Sequence, residues 1–400
     1  MPAEDAAHNP CPLRLLRVAE AVARGGSAAA AAGELHLSPS AVSRAVAQAE
    51  AHLGLALFER GARGMAVTPA GEALLRRAGR ALAQLALAGG PLLAGRATDA
   101  MLAALAAVAE QRSETAAART LGLSQAAVHQ SLRQLEHAAR QPLLQRSRRG
   151  SRLTEAGERM LLRARLALAE LRTGHDELAA LAGRRAGRVA VGALPMACDV
   201  LVPQALSRLA QAQPGVQLSV VDGTYEALVH RLRHGDVDLV VGPLRGVHAP
   251  ADVAEETLFV DRLLPVVRPD HPLARGRRRA RTLAELMALP WIGPLPGTPA
   301  RAAFERVFAA AGLALPPLVL QTHSTPVLRA LLQAGDAVAL LSPWQVHGEL
   351  AAGRLLALPV PLQGTERAIG LMQRRDGLAS ATLQQLLGAL RAVAVRGTPS

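Results

Sequence analysis

Along the first 182 residues apolar positions recur every three or four residues, whereas beyond residue 187 they gather into short runs split by polar segments. The first pattern predicts helices and the second predicts alternating strands and helices. Leu15, Ala19 and Val22 share one face of a first helix, which Gly25-Gly26 stops. Ser27 caps a second helix over about 28–35, and His36-Leu37-Ser38 forms a short turn. Ser38 is an N-cap and Pro39 occupies the first helical position, where its missing N–H costs nothing. In the third helix Val42, Ala45, Val46 and Ala49 face inward, which turns Ser40, Ser43, Arg44 and Ala47 outward. Thr68-Pro69 opens a further helix.

The same succession then returns. Met101, Leu105 and Val108 make a first buried face, and Val128, Leu132 and Leu135 another, leaving Ala126, His129, Gln130 and Arg133 outward. Leu37-Ser38-Pro39-Ser40-Ala41-Val42-Ser43-Arg44 is matched by Leu123-Ser124-Gln125-Ala126-Ala127-Val128-His129-Gln130. Arg60, Arg63, Gly64, Thr68, Ala70, Gly71 and Glu72 come back as Arg146, Arg149, Gly150, Thr154, Ala156, Gly157 and Glu158. Every pair is separated by one offset (124 − 38 = 158 − 72 = 86), so the chain holds an ungapped tandem duplication. Two short helices joined tightly, the second with small polar and Arg side chains outward, describe a helix-turn-helix. The Gly- and Arg-containing loops around Arg60–Arg63 and Arg146–Arg149 read as wings able to meet a phosphate backbone. Gln and Arg can read base edges, while Ser discriminates weakly. A solvated helix face is the bland explanation for any one of these side chains; the repeated constellation favours DNA contact.

Between the copies, Leu87-Ala88-Gly89-Gly90-Pro91 predicts a helix break near Ala88 and a linker over 89–97 with further slack at Gly95. After the second copy, a helix from about Thr154 to Leu181 carries an apolar stripe through Leu161, Leu168 and Leu178. Gly183 to Gly187 marks a boundary.

Beyond it, strands at 188–192, 216–221 and 237–242 alternate with helices at 200–211 and 225–233, an order that predicts a mostly parallel sheet. A second set starts near Leu263, with strands at 291–293, 318–320 and 337–341 and helices at 299–311 and 326–334. Leu371-Met372 and a helix over 383–393 return to the first set. Ligands of open α/β sheets sit beyond the carboxyl ends of the strands. Candidates there are Leu194, Pro195, Met196, Thr224, Gly242, Thr298, Ser324 and Ser342. Thr298-Pro299, Thr325-Pro326 and Ser342-Pro343 also read as N-cap plus N1 proline, which explains them without a ligand.

Composition adds limits rather than locations. The 400 residues are half apolar but only 2% aromatic, so cores must be built from Ala, Leu and Val. The net charge is +13, carried by Arg with no Lys, and both halves are basic: 22 Arg against 16 acids up to residue 182, 23 against 16 after it. Such a chain suits a polyanionic partner without showing where it binds. Cys11 and Cys198 form neither a CxxC nor a Cys/His cluster, which fits a reducing compartment. Cys198, near a helix start, is either a thiol of lowered pKa or a buried inert one. The acidic start lacks the apolar core of a signal peptide, and no apolar run reaches membrane-spanning length, so a soluble cytoplasmic protein is expected. No nucleophile motif, phosphate loop or metal-ligand cluster is present; Asp236 and Asp238 read as the start of a strand rather than a carboxylate dyad.

Leu37 to Arg44, with Glu50, Leu53-Gly54, Leu57-Phe58, Arg60, Arg63 and Thr68-Pro69-Ala70-Gly71, resembles the winged helix-turn-helix of LysR-type transcriptional regulators. Copy one departs from that pattern at Ala49; copy two has His129-Gln130 for Ser-Arg, Ala139-Arg140 for Leu-Gly and Leu144 for Phe. Pro214-Gly215-Val216, Gly235 to Leu239, Asp270 to Ala274 and Gly335 to Leu341 resemble the family's effector-binding domain, itself similar to periplasmic solute-binding proteins. Gly364 to Leu371 is similar to the branch named for regulating a galactose-binding protein. The family ordinarily has one reading unit, so the duplication is a departure that leaves open which copy reads DNA.

The resemblance implies two helix-rich winged helix-turn-helix domains, 1–88 and 98–153, a dimerising linker helix over 154–182, and a two-lobed α/β domain over 183–400. Lobe I would hold 187–262 and 360–400, and lobe II 263–359. The implied function is regulation of transcription without catalysis, with double-stranded DNA as partner and a homodimer or homotetramer as the assembly. DNA contact is expected from Ser38, Ser40, Ser43, Arg44, Arg60, Arg63, Gln125, His129, Gln130, Arg133, Arg146 and Arg149. No cofactor or metal is implied. The effector is an unidentified small molecule; Leu194-Pro195-Met196-Ala197, where the family commonly has a hydroxyl, suits a neutral one such as a sugar. A solute-binding or scaffold protein with inactive DNA units is the rival reading.

Overall fold

Capping chemistry sets the helix boundaries of the N-terminal half. The computed structural model describes residues 11–61, 64–147, 150–183, 187–274 and 282–397, divided into two units between Gly187 and Arg188. The acidic N-terminal residues, Arg63, Arg148, Arg149 and residues 184–186 lie outside the described residues. Copy one runs α1 (Leu13–Gly25), α2 (Ala28–Leu35), α3 (Pro39–Leu53), the hairpin β1 (Phe58–Gly61) and β2 (Gly64–Val67), then α4 (Pro69–Arg96). Copy two repeats it as α5 (Asp99–Gln111), α6 (Glu114–Leu121), α7 (Gln125–Ala139), β3 (Leu144–Ser147), β4 (Gly150–Leu153) and α8 (Glu155–Leu181). Ser27, Ser38 and Thr68 each accept a backbone N–H three residues on, and Ser113, Ser124 and Thr154 do the same in copy two.

Two repeated residues have a packing reason. Gly71 and Gly157 lie so close to the chain entering each hairpin that a Cβ would sit 2.2 Å from the Leu57 carbonyl oxygen and 2.1 Å from that of Leu143. Glu50 accepts the N–H groups of Leu57 and Phe58, and Glu136 those of Leu143 and Leu144. These carboxylates fix each hairpin to its preceding helix.

The expected linker is not slack. Gly89 and Gly90 kink α4, but the helix resumes to Arg96, and Leu93 and Ala97 beyond the kink are fully buried. Nor does α4 stand apart from copy two. It packs along α8, and one continuous hydrophobic core runs through both copies from Cys11 to Leu178.

The C-terminal unit is built as two lobes. Lobe I has β5 (Arg188–Ala193), α9 (Leu201–Ala212), β6 (Gln217–Asp222), α10 (Tyr225–Arg233), β7 (Leu239–Pro243) and β8 (Val253–Asp261). Lobe II follows with β9 (Leu264–Val267), β10 (Trp291–Gly293), α11 (Pro299–Ala310), β11 (Leu318–Gln321), α12 (Thr325–Ala334), β12 (Ala339–Leu341), α13 (His347–Ala351) and β13 (Leu356–Ala357). The chain then returns to lobe I as β14 (Arg367–Arg374) and α14 (Ala381–Val395).

The first sheet has the order β6-β5-β7-β14-β8. As expected β5, β6 and β7 are parallel, and the single reversed strand β14, antiparallel to both neighbours, makes the sheet mixed. In lobe II β10 and β11 are parallel, and β9 lies antiparallel between β12 and β13. Trp291 fills that lobe's core edge-on to Phe304 and Phe308. Among the described residues no helix is long and apolar enough to cross a membrane.

Candidate DNA-reading heads and effector pocket

In copy one the αL cap His36 (φ 54°) turns the chain sharply between α2 and α3, which sets α3 across α2. Val42, Val46 and Ala49 are fully buried, so Ser38, Ser40 and Arg44 are exposed on the opposite side and Ser43 is half-buried. The Ser38 and Ser40 hydroxyls lie 3.0 Å apart, and Ser38 also accepts the Ala41 N–H, so only part of its hydrogen-bonding capacity remains for a ligand. In copy two, burial of Val128, Leu132 and Leu135 leaves Gln125, His129, Gln130 and Arg133 exposed. His129 Nδ1 is 3.0 Å from Glu114 Oε2, and Arg133 Nη1 is 3.9 Å from Glu136 Oε2. His129 and Arg133 therefore each have a carboxylate beside them, which competes with DNA for these side chains. Arg60 and Arg146 fall on the wing strands β1 and β3, while Arg63 and Arg149 lie outside the described residues.

A cavity of about 360 Å³ opens between the two lobes at the carboxyl ends of β5, β6, β7, β10 and β11. Leu194, Pro195, Met196, Thr224 and Thr298 line it. Gly242, Ser324 and Ser342 do not, and each has a structural reason of its own. At Gly242 a Cβ would sit 2.5 Å from the Leu194 Cβ, so the position admits no side chain. Ser324 is the N-cap of α12, one residue before the expected cap Thr325, and its N–H is held by the Thr322 hydroxyl at 2.9 Å. Ser342 is fully buried and caps no helix; its hydroxyl donates to Asp261 and accepts the Trp344 N–H.

That serine belongs to the hinge. Asp261 ends β8, Arg367 starts β14, and the two are paired across the strands on which the chain leaves and re-enters lobe I. Arg367 Nε donates to Asp261 Oδ2 at 2.9 Å in a buried ion pair, and Ser342 of lobe II holds the other carboxylate oxygen at 2.8 Å. Trp344 of lobe II stacks on Phe259 of lobe I with ring centroids 4.7 Å apart. Two arginines bridge the cleft itself. Arg245 of lobe I donates to the Gly297 carbonyl at 2.7 Å, and Arg329 of lobe II pairs with Asp199 of lobe I.

Tyr225, Arg245 and Arg367 line the pocket although the sequence did not mark them as candidates. Arg245 lies 4.3 Å above the Tyr225 ring; its Nε and the Tyr225 hydroxyl are buried without a hydrogen-bond partner among the described residues. Burial, ahead of the nearby carboxylates, raises the Tyr225 pKa and keeps the hydroxyl a donor. The sequence signal was the chain's single Tyr directly after a helix-capping Thr. Arg367, also in the lining, joins pocket to hinge. Neither cysteine is an activated thiol. Burial pushes Cys11 up to about 12, and it raises Cys198 as well, with Asp222 adding to the effect, so the helix start does not lower it.

Known proteins resemble this chain over nearly its whole length. The family model described as the LysR substrate binding domain matches residues 182–395. The one described as bacterial regulatory helix-turn-helix protein, lysR family, matches twice, at 13–72 and 100–158. The HTH-type transcriptional regulator GalR of Pseudomonas putida is 38% identical over 380 residues, covering 93% of this chain and 94% of its own. The regulator PcaQ of Agrobacterium fabrum is 33% identical over 287 residues, 72% of this chain and 92% of its own. Among solved structures, ArgP from Mycobacterium tuberculosis superposes with a TM-score of 0.56 at 22% identity, covering 74% of this chain and 96% of that one. Full-length CbnR in complex with its target DNA gives 0.54 at 21%, covering 73% and 98%.

Proposed function

Because the chain belongs to the LysR family of transcriptional regulators, we propose that it reads DNA through the outward faces of α3 and α7 and adjusts that reading through the cleft between its lobes. It is a DNA-binding regulator with an effector-binding domain rather than an enzyme. On this reading Arg44 of copy one and Gln130 and Arg133 of copy two contact base edges, and the wing arginines Arg60, Arg63, Arg146 and Arg149 contact phosphates. The regulator works in the cytoplasm, where its DNA lies, as a homodimer or homotetramer.

The effector is a small molecule with an apolar body and one acceptor group. What carries this reading is the pocket's mixture: Leu, Pro, Met and Ile walls with two unsatisfied donors, the Tyr225 hydroxyl and Arg245 Nε. Thr224 and Thr298 already use their hydroxyls to cap helices, and Thr298 also donates to Leu295. A sugar, which needs a partner for each hydroxyl, suits such walls less well than the sequence alone implied. An acceptor seated against Arg245 would weaken its bond to Gly297 and so couple the pocket to lobe closure, a population shift between open and closed forms. Titrating small carboxylates, amides and sugars while following operator affinity tests the proposal. A sugar that shifts operator binding while acceptor-bearing apolar molecules do not would overturn the effector assignment. DNA binding that lacks a steep salt dependence would overturn the DNA reading.

A further inference from the structure

The two copies are not strung along the chain as separate modules but are related by a pseudo-twofold axis. Arg77 Nη1 on α4 donates to Glu170 Oε2 on α8 at 2.9 Å, and Arg163 Nη1 on α8 donates to Gln84 Oε1 on α4 at 2.7 Å. The second pair is the first with the copies exchanged, since 163 − 77 = 170 − 84 = 86, the spacing of the duplication. Partner numbers rise along one helix as they fall along the other, so α4 and α8 cross antiparallel. At the crossing lie Ala78 and Ala81 with their counterparts Ala164 and Ala167, all fully buried and small enough to let the backbones approach.

A second observation places the same axis elsewhere in the unit. The Leu13 N–H at the start of α1 donates to Asp99 Oδ2 at the start of α5, 2.9 Å away. Residue 99 is the counterpart of residue 13, and a bond between two counterparts can form only beside the axis that exchanges them.

We infer that one chain supplies both reading heads of a complete DNA site, as a fused pair whose two half-sites differ in sequence. The inference rests on the DNA reading proposed above. Twofold-related heads require inverted half-sites on the duplex, because symmetric operators mirror the symmetry of their readers. Here the heads are unequal: α3 offers Ser40, Ser43 and Arg44, and the same positions of α7 are Ala126, His129 and Gln130. The favoured site is an inverted pair of unlike halves. Covalent linkage also makes the pairing of α4 with α8 intramolecular, so it outcompetes pairing of α8 with the α8 of a second chain, where Arg163 would also find Glu170.

Selection of bound duplexes from a randomised pool by the full-length chain tests the inference. Two inverted half-sites of unlike sequence are expected. Arg44→Ala should relax preference in one half and Arg133→Ala in the other, each with roughly a 5- to 150-fold loss of affinity. Identical halves, a single half, a direct repeat, or both substitutions relaxing the same positions would overturn the fused pair while leaving DNA binding intact. A pool with no selected sequence would instead overturn the DNA reading together with this inference. Independently, oxidation or a short bismaleimide should crosslink the Gln84→Cys/Arg163→Cys chain to itself. Crosslinking between chains by Arg163→Cys alone would show α8 paired with its copy and defeat the inference.

Discussion

Copy one and copy two share a plan but divide its work differently. Where a side chain caps the helix after each hairpin, ties the hairpin down, or must be absent for the backbones to press close, the same device appears twice: Thr68 and Thr154, Glu50 and Glu136, Gly71 and Gly157. Where the copies meet each other they diverge. The α8 side of the crossing contributes the carboxylates Glu170 and Glu177, while Arg77 on α4 is 2% exposed between them. Among the described residues the mirrored Arg163 donates to the neutral Gln84 instead. Local geometry has been held fixed, and the shared interface has been free to specialise.

The largest expected effect breaks that interface. Arg77→Ala takes a charge-assisted partner from the buried Glu170, which keeps Arg80, and another from the half-buried Glu177, and should cost about 3–5 kcal/mol in chemical denaturation of the N-terminal unit. Arg163→Ala at the mirrored position should cost about 1 kcal/mol, the value of an ordinary hydrogen bond. Equal losses would mean that the two sides of the crossing are equivalent after all. Next, Gly71→Ala and Gly157→Ala each drive a methyl group into a carbonyl oxygen, at an expected cost of about 2–3 kcal/mol apiece. Here the two copies should respond alike, and a large difference would show that one hairpin yields.

A smaller effect concerns Cys11, whose counterpart is Ala97. Its folded pKa of about 12 lies above the ordinary thiol value of about 9.0, so the unfolded thiol ionises first. Stability should be complete below about pH 9 and fall as pH rises towards 12. Cys11→Ala, which makes copy one resemble copy two, should flatten that part of the stability profile. Smallest of all, the αL caps carry Gly in one copy and a larger residue in the other: Gly26 against Arg112, His36 against Gly122, Gly54 against Arg140. Replacing His36, Arg112 or Arg140 by Gly should each add about 0.5–1 kcal/mol, read as a rise in melting temperature.

Much of this was legible in the sequence because it is local. Ser27, Ser38 and Thr68 announce their helices through side-chain caps and N1 prolines, and the helices form where those residues put them. What stayed hidden is non-local. Gly89-Gly90-Pro91 has the composition of a terminator, and nothing near it reveals that α4 is held by Glu170, 93 residues from Arg77. The strand β8 was missed because Val253–Asp261 carries three acids and lies at a sheet edge, where an apolar run is not required. In the pocket, residues at strand ends were found by topology, but Tyr225 and Arg245 gain their meaning only from one another. Ser342 looked like a ligand contact because a hydroxyl after a strand has the same sequence signature whether it faces a cleft or locks a hinge.

Every Trp and Tyr of the chain, Trp291, Trp344 and Tyr225, lies beyond residue 187. Trp344 extends from lobe II into the core of lobe I, stacked on Phe259. Trp and Tyr emission from the intact regulator is therefore silent about the reading heads. It changes only when the effector unit does, so an unlabelled sample can report lobe movement while bound to any duplex.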